Sequence, residues 1–228
     1  MSLKTLINKF SDKEVDYTLI GCLLGDGSMR GASSRVRISH TNRQRDYVKF
    51  KEEVFSNLGC KVSSKYDYWQ DTTFGRYEYS SVDIRPKSVS RIKEKSLEYL
   101  IKRVTPLGLL FWWLDDGSLT VSTKKNGSIC RFGYLHTQSY DYQQHLLLVK
   151  LLKELFELDV KINKDIGGVN DKHKVYYRLY FNATNFRKFI DIFYDYIQYI
   201  PDCMKYKLNM KYVKNRLLNS EELMRYNF

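Results

Sequence analysis

No run in the 228-residue sequence approaches the roughly 18 apolar residues that a membrane-spanning helix needs. The N-terminus also lacks the apolar block of a secretory signal, so a soluble protein that is not secreted is expected, in a bacterial or phage cytoplasm or an organelle matrix. The four cysteines, Cys22, Cys60, Cys130 and Cys203, lie far apart and form no C-x-x-C pair. Neither a zinc knuckle nor a redox motif is supported, and reduced, buried thiols are expected. No block of five or six like charges marks a tail. A membrane surface is disfavoured too, because there is no basic amphipathic helix with a Trp/Phe/Leu face and no lipidation motif. His145 and His173 have no partner at metal-ligand spacing, no H-N-H-type pairing is visible, and the stretch Asp83 to Lys87 does not make an acid–acid–x–lysine nuclease pattern.

What is present points elsewhere. Hydrophobic residues make up 43% and aromatics 15%, enough to build a core and unlike a disordered chain. The length suits one large domain or two small ones. Lys and Arg number 38 against 26 Asp and Glu, a formal charge of +12. A folded, Tyr-rich chain with that balance suggests a polyanionic partner; a basic but otherwise ordinary surface is the alternative.

The sequence echoes itself. Residues 17–30 read YTLIGCLLGDGSMR and residues 107–120 read LGLLFWWLDDGSLT. Each is an apolar run ending in an acid, Gly, Ser and an apolar residue. Ile38-Ser39-His40-Thr41-Asn42 then matches Tyr134-Leu135-His136-Thr137-Gln138, and helical patterns follow at 44–58 and 141–157. This is a tandem pseudo-repeat of roughly 95 residues, dividing the chain into halves 1–104 and 105–228. Ser11-Asp12-Lys13-Glu14 is a capping box opening a helix, and Thr105-Pro106 supplies an N-cap with proline at the first helical position. Gly27 and Gly117 stop these helices. Alternation along 35–39, 77–85 and 174–182 predicts half-buried strands with one polar, cation-rich face. Each half reads as helix, two strands, helix, two strands, helix, an α+β fold with one antiparallel sheet per half.

A helix of Leu, Ile, Trp and Phe with no polar face must be buried on nearly all sides, so the two repeat helices are expected to pack on each other. Gly21 and Gly25, four apart on one face, would let the backbones approach. Asp26 and Asp116 would then lie side by side at helix C-termini, where orphan carbonyls and the macrodipole already concentrate negative charge. Oxygen-only ligands suit hydrated Mg²⁺ rather than zinc. Such a metal can activate water and stabilise the leaving oxygen of a phosphodiester. For one copy, Asp-Gly as a common turn would suffice; two copies after matching buried helices favour the metal.

LIGCLLGDG (19–27) and LLFWWLDDG (109–117) resemble the two motifs of the single-chain LAGLIDADG homing endonucleases, and the order of elements is similar over about residues 12–215. The resemblance implies that Asp26 and Asp116 are the metal-binding catalytic acids, with the carbonyls of Gly25 and Asp115 as further ligands and Asp115 otherwise at a helix-contact position. It implies that Asn42 and Gln138 surround the hydrolytic water. It also implies a basic residue per half, Lys207 in the second and Lys93 in the first, with Lys95 close behind. Two positions depart from the family pattern. Phe111 stands where a small residue is usual, which predicts a wider helix contact, and Ser96 replaces a proline. His40 and His136 end apolar-alternating strands and are read as packed or hydrogen-bonded, and Trp112 and Trp113 as core.

A β-ribbon can read the major groove with alternating side chains. The polar faces supply Arg35, Arg37, Ser39, Lys61, Ser63, Lys65, Tyr77, Tyr79, Ser81, Asp83 and Arg85 in the first half. In the second they supply Lys124, Lys125, Arg131, Lys161, Asn163, Lys172, Lys174, Tyr176, Arg178 and Tyr180. Arg favours guanine, Asn adenine, and lysines mostly neutralise phosphate. The resemblance therefore implies a monomeric, Mg²⁺-dependent (with Mn²⁺ able to substitute) double-strand DNA endonuclease that leaves short 3′ overhangs at a long asymmetric site. An intron RNA maturase on the same fold and a non-catalytic DNA-binding regulator are the alternatives. With no splicing-domain sequence flanking the repeats, an intron-borne or free-standing gene is expected.

Overall fold

A computed structural model describes residues 2–29, 35–73, 75–88, 92–123, 126–166 and 175–208. A short helix α1 (Leu3–Ile7) precedes the first repeat helix, α2 (Asp12–Leu24). Ser11 caps α2 through the expected box, its side chain accepting from the Glu14 N–H while the Glu14 carboxylate accepts from the Ser11 N–H at 2.8 Å. The second repeat helix, α5 (Pro106–Asp116), begins as the sequence predicts, with the Thr105 hydroxyl accepting the Gly108 N–H at 3.0 Å.

The first half continues with β1 (Ser28–Met29), β2 (Val36–Thr41), α3 (Arg45–Asn57), β3 (Lys61–Thr72), β4 (Gly75–Arg85) and α4 (Leu97–Ile101). The second runs β5 (Gly117–Thr123), β6 (Ile129–Leu135), α6 (Tyr142–Phe156), β7 (Lys161–Ile166), β8 (Val175–Phe181), α7 (Ala183–Ile192) and α8 (Tyr194–Ile197), closed by a 3₁₀ turn at Asp202–Lys207. The sheets have the same antiparallel order, β1-β2-β4-β3 and β5-β6-β8-β7. Ser96, in place of the proline, caps α4 by accepting the Tyr99 N–H at 3.2 Å.

Helices α2 and α5 pack side by side with almost nothing between them. A Cβ added to Gly21 would lie 1.8 Å from the Gly108 carbonyl oxygen, and one added to Gly25 would lie 2.5 Å from Asp115 Cβ. The buried hydroxyls of Thr18 and Thr105 meet at 2.8 Å along the same seam. The wider contact expected from Phe111 is not found. Its ring turns instead into the first half, stacked on Phe55 at 5.7 Å and tilted on Phe50 at 5.9 Å, both from α3. Trp113, two residues on, lies on the other side of α5 among Phe181, Phe186 and Phe189 of the second half. Both rings are fully buried, so α5 contributes to both cores.

Register fixes what each sheet presents. In the first, Val36, Ile38, Val82 and Ile84 are fully buried on the helix side. Arg37 faces Asp83, Ser39 faces Ser81 and Thr41 faces Tyr79 on the opposite side, because side chains alternate along a strand. In the second, Leu135, Leu179 and Phe181 are buried, which leaves Tyr134, Tyr180 and Arg178 on the open face with Lys161 and Asn163 beside them.

Candidate functional site

Helices α2 and α5 end together, which brings their terminal acids into one cluster. Asp26 has its side chain 44% exposed, yet its carboxyl is pushed above the usual carboxylate range, first by burial and then by the charge of Asp115. Asp116 is pushed up to about 7, again by burial and then by Asp26 and Asp115. Raised carboxyls at helix C-termini are what mutual repulsion in a poorly solvated place produces. Lys207 works against it: its ammonium donates to the Asp115 carbonyl at 2.5 Å and its charge lowers both acids. The 3₁₀ turn carrying Lys207 is held in place by the Trp113 indole, which donates to the Lys207 carbonyl at 3.0 Å.

The side chain of Asp115 is fully buried and lies on the helix seam as expected. It also gathers partners that the sequence does not advertise. Its Oδ1 accepts from Lys51 Nζ at 2.6 Å and from the Tyr47 hydroxyl at 2.8 Å; its Oδ2 accepts the Asp26 N–H at 3.3 Å. His40 is 5% exposed, with Nε2 3.2 Å from Lys51 Nζ and Nδ1 3.5 Å from Asp26 Oδ2. Burial and the neighbouring Lys51 hold its pKa at about 3, so the ring is neutral. Asp26, His40 and Asp115 form a group with ligand-capable atoms within 4.8 Å of one another. Lys51 and Tyr47 engage the Asp115 carboxylate and Lys207 engages its carbonyl, which leaves the carboxylates of Asp26 and Asp116 as the less occupied oxygens of the cluster.

Asn42 and Gln138 follow β2 and β6, each tied to an acid of the outer strand of its own sheet. Asn42 donates to Asp67 at 2.8 Å and accepts from the Ser80 hydroxyl at 2.8 Å. Asp67 also pairs with Arg45 at 2.9 Å. Gln138 Nε2 lies 3.2 Å from His136 Nδ1 and 3.5 Å from Asp165 Oδ2. Asp165 in turn faces Arg178 at 3.6 Å. The side chain of Lys93 lies outside the described residues.

On the first sheet, Arg35, Arg37, Ser39, Lys61, Ser63, Lys65, Tyr77, Tyr79, Ser81, Asp83 and Arg85 share the open side by register. Arg37 gives its Nε and one terminal nitrogen to Asp83 at 2.7 and 2.6 Å, so that pair acts as one unit. The register shifts between Lys65 and Tyr68, where Asp67 takes φ +53°. This bulge re-aims the strand, and Tyr68 and Gln70 join the open face opposite Tyr79 and Tyr77.

On the second sheet, Lys161, Asn163, Tyr176, Arg178 and Tyr180 share the open face. Arg131 does not. It pairs with Val121 and alternates with Phe132, which puts it on the side of Gly133 and Leu135. Phe132 takes the open position and clusters with Tyr134 at 5.8 Å and Tyr180 at 5.7 Å. Lys124, Lys125, Lys172 and Lys174 lie outside the described residues.

The model of the LAGLIDADG DNA endonuclease family matches residues 17–189, which contain α5, all but the first five residues of α2, both acids and both sheets. The chain belongs to that family. DNA endonuclease I-ChuI of Chlamydomonas applanata, 23% identical over 218 residues, is matched over 84% of this chain and 92% of its own length. The protein RecA of Mycolicibacterium flavescens is 32% identical over 124 residues, or 51% of this chain. The match spans only 29% of that relative's length. Among solved structures, the LAGLIDADG chain described here shares its fold with the homing endonuclease I-WcaI bound to its DNA recognition sequence, at a TM-score of 0.61 and 20% identity over 86% of each chain.

Proposed function

We propose that the protein is a monomeric, site-specific endonuclease that cuts both strands of a long asymmetric DNA site, requires Mg²⁺ or Mn²⁺, and leaves short 3′ overhangs. The observation that carries this reading is the meeting of Asp26 and Asp116 at the ends of two helices in backbone contact, with both carboxyls raised by shared burial and charge. Two such carboxylates repel each other and any approaching phosphate unless a cation stands between them. The donor set is oxygen only, Asp26 and Asp116 with the carbonyl of Gly25 and, once the Lys207 ammonium that it now accepts turns to the phosphate, that of Asp115, and fits a hard divalent ion. A cation held there supplies the charge that activates water and stabilises a departing phosphodiester oxygen. Lys207 adds positive charge beside both acids, where it can meet the phosphate as negative charge builds on it. Lys93 is assigned the same part in the first half. Asn42 and Gln138, each fixed by a carboxylate of its own sheet, order water at the edge of the centre. The open faces of the two sheets, which differ in composition, track the duplex on either side and make the site asymmetric.

The test is digestion of a plasmid library carrying randomised and intron-junction targets, with Mg²⁺ or Mn²⁺ against Ca²⁺ and EDTA. Linearisation at one long site with the first two ions, lost in Asp26→Asn/Asp116→Asn, is the expected result. Binding without cutting in every metal would return the protein to the DNA-binding regulators. Retention of intron RNA in a parallel assay would add a maturase role.

A further inference from the structure

The two acids are equivalent in the repeat, but their surroundings are not. Around Asp26 runs a closed ring of contacts: carboxylate to His40 Nδ1 at 3.5 Å, His40 Nε2 to Lys51 Nζ at 3.2 Å, Lys51 to Asp115 Oδ1 at 2.6 Å, and Asp115 Oδ2 back to the Asp26 N–H at 3.3 Å. A lysine ammonium has donors only. His40 Nε2 must therefore accept, and the single proton of the neutral ring must sit on Nδ1, the nitrogen 3.5 Å from Asp26 Oδ2, with the Gln44 side chain as a further hydrogen-bond partner of the ring. Among the described residues, the second half shows no counterpart on the same pattern. His136 turns Nε2 to the Ser118 hydroxyl at 2.8 Å and Nδ1 to Gln138 at 3.2 Å.

Stability is a poor reason for the pair at the heart of the ring. The side chains of Lys51 and Asp115 are both fully buried, and a buried ion pair is often no better than two well-packed apolar side chains of the same volume. What the pair does supply is direction. We propose that Lys51 is a positioning residue for the Asp26 centre alone: it locks His40 in the Nδ1–H tautomer, which aims a donor at the first acid and fixes the orientation of its carboxylate. A histidine or carboxylate that orients a metal-holding side chain commonly affects metal affinity or activity by about 10–100-fold. The two centres are then unequally supported, and the two DNA strands depend unequally on Lys51. This kinetic consequence rests on the endonuclease reading; the tautomer does not.

Two measurements test it. Long-range ¹⁵N–¹H NMR of the metal-free full chain reads the His40 tautomer directly. Wild type is expected to show the Nδ1–H form, and Lys51→Met to lose it. If Lys51→Met fails to fold because Asp115 is left as an unpaired buried charge, Lys51→Met/Asp115→Leu removes both charges without placing a new donor 3.8 Å from His40 Nε2, and makes the same tautomer prediction. An Nε2–H ring in wild type, or a tautomer indifferent to Lys51, overturns the proposal. The second measurement follows each strand separately, using the target selected from the library labelled at either end. The expected result is a nicked intermediate, with one strand slowed about 10–100-fold in the Lys51 variant and the other near its wild-type rate. Equal slowing of both strands would mean a merely structural lysine and overturns it as well. If wild type cuts no DNA at all, the endonuclease reading fails, while the NMR result still decides whether Lys51 sets the His40 tautomer.

Discussion

Gly21→Ala is expected to cost the protein more than about 4 kcal/mol, the range reserved for severe core disruption. On ordinary grounds the sign should be the reverse, since alanine in a helix interior is better than glycine by about 0.5–1 kcal/mol. The reversal comes from what the methyl would strike. Its nearest neighbours are the carbonyl oxygen, carbonyl carbon and Cα of Gly108, at 1.8, 2.3 and 2.5 Å. All are backbone, so no side chain can rotate away and the two helices must separate. Separation would open the seam that buries the Thr18–Thr105 hydroxyl contact and would pull Asp115 from the Asp26 N–H. Thermal unfolding of the variant should show a Tm at least about 8 °C lower, on the scale of about 2–4 °C per kcal/mol for a chain of this size. An unchanged Tm would mean that the helices do not approach this closely.

Asp116→Asn is expected to act in two directions at once. Cleavage should fall by about a thousandfold or more, corresponding to the loss of several kcal/mol of metal-assisted stabilisation. Metal-free stability, by contrast, should rise. The folded carboxyl titrates at about 7 and the reference value is 3.8. Between those values the folded protein keeps a proton that the unfolded chain has released, so stability falls as pH rises through the window and the full penalty is felt above it. Asparagine carries no charge and escapes the penalty. Since Asp116 is only partly buried and Lys207 offsets some of the repulsion, the gain at pH 8 in EDTA is set at about 1–2 kcal/mol, or about 2–8 °C. At pH 4 the two proteins should melt together. Parallel Tm–pH profiles for the two would remove the assignment. Mg²⁺ should raise the wild-type Tm more at pH 8 than at pH 5, because a cation binds the ionised pair and competes with the proton.

Local signals are legible where they are self-sufficient. Ser11 with Glu14, and Thr105 with Pro106, specify helix starts from neighbouring residues alone, and the repeated acid-Gly-Ser ends mark the two acids that the helices bring into one cluster. The strand faces were legible while alternation lasted. It breaks at Asp67, a residue at φ +53° with no glycine to announce it, so Tyr68 and Gln70 fell out of phase. The charge of Arg131 suggests the open face, yet Gly133 and Leu135 in the same strand set its parity. Lys51 and Tyr47 were hidden for a different reason. Within Lys49-Phe50-Lys51-Glu52-Glu53, Lys51 looks like a solvated helix lysine, and only a carboxylate 64 positions away makes it a buried one. The doubled acid of the second repeat was its sole trace. The sequence around Phe111 shows only its own helix, whereas α3 of the other half decides where its ring goes.

That last contact bears on recombination of such proteins. The repeat suggests two interchangeable modules, each with its own acid and its own sheet. The side chains say otherwise, since α5 lends Phe111 to the aromatic layer of Phe50 and Phe55 and lends Asp115 to Lys51 and Tyr47. A chimera that keeps residues 1–104 and takes a second half with a small residue in place of Phe111 and no acid in place of Asp115 inherits a hole beneath α3 and a lysine ammonium with no counter-ion. Grafting therefore has to carry Phe111 and Asp115 along with the first half, although both lie beyond the boundary that the repeat would draw.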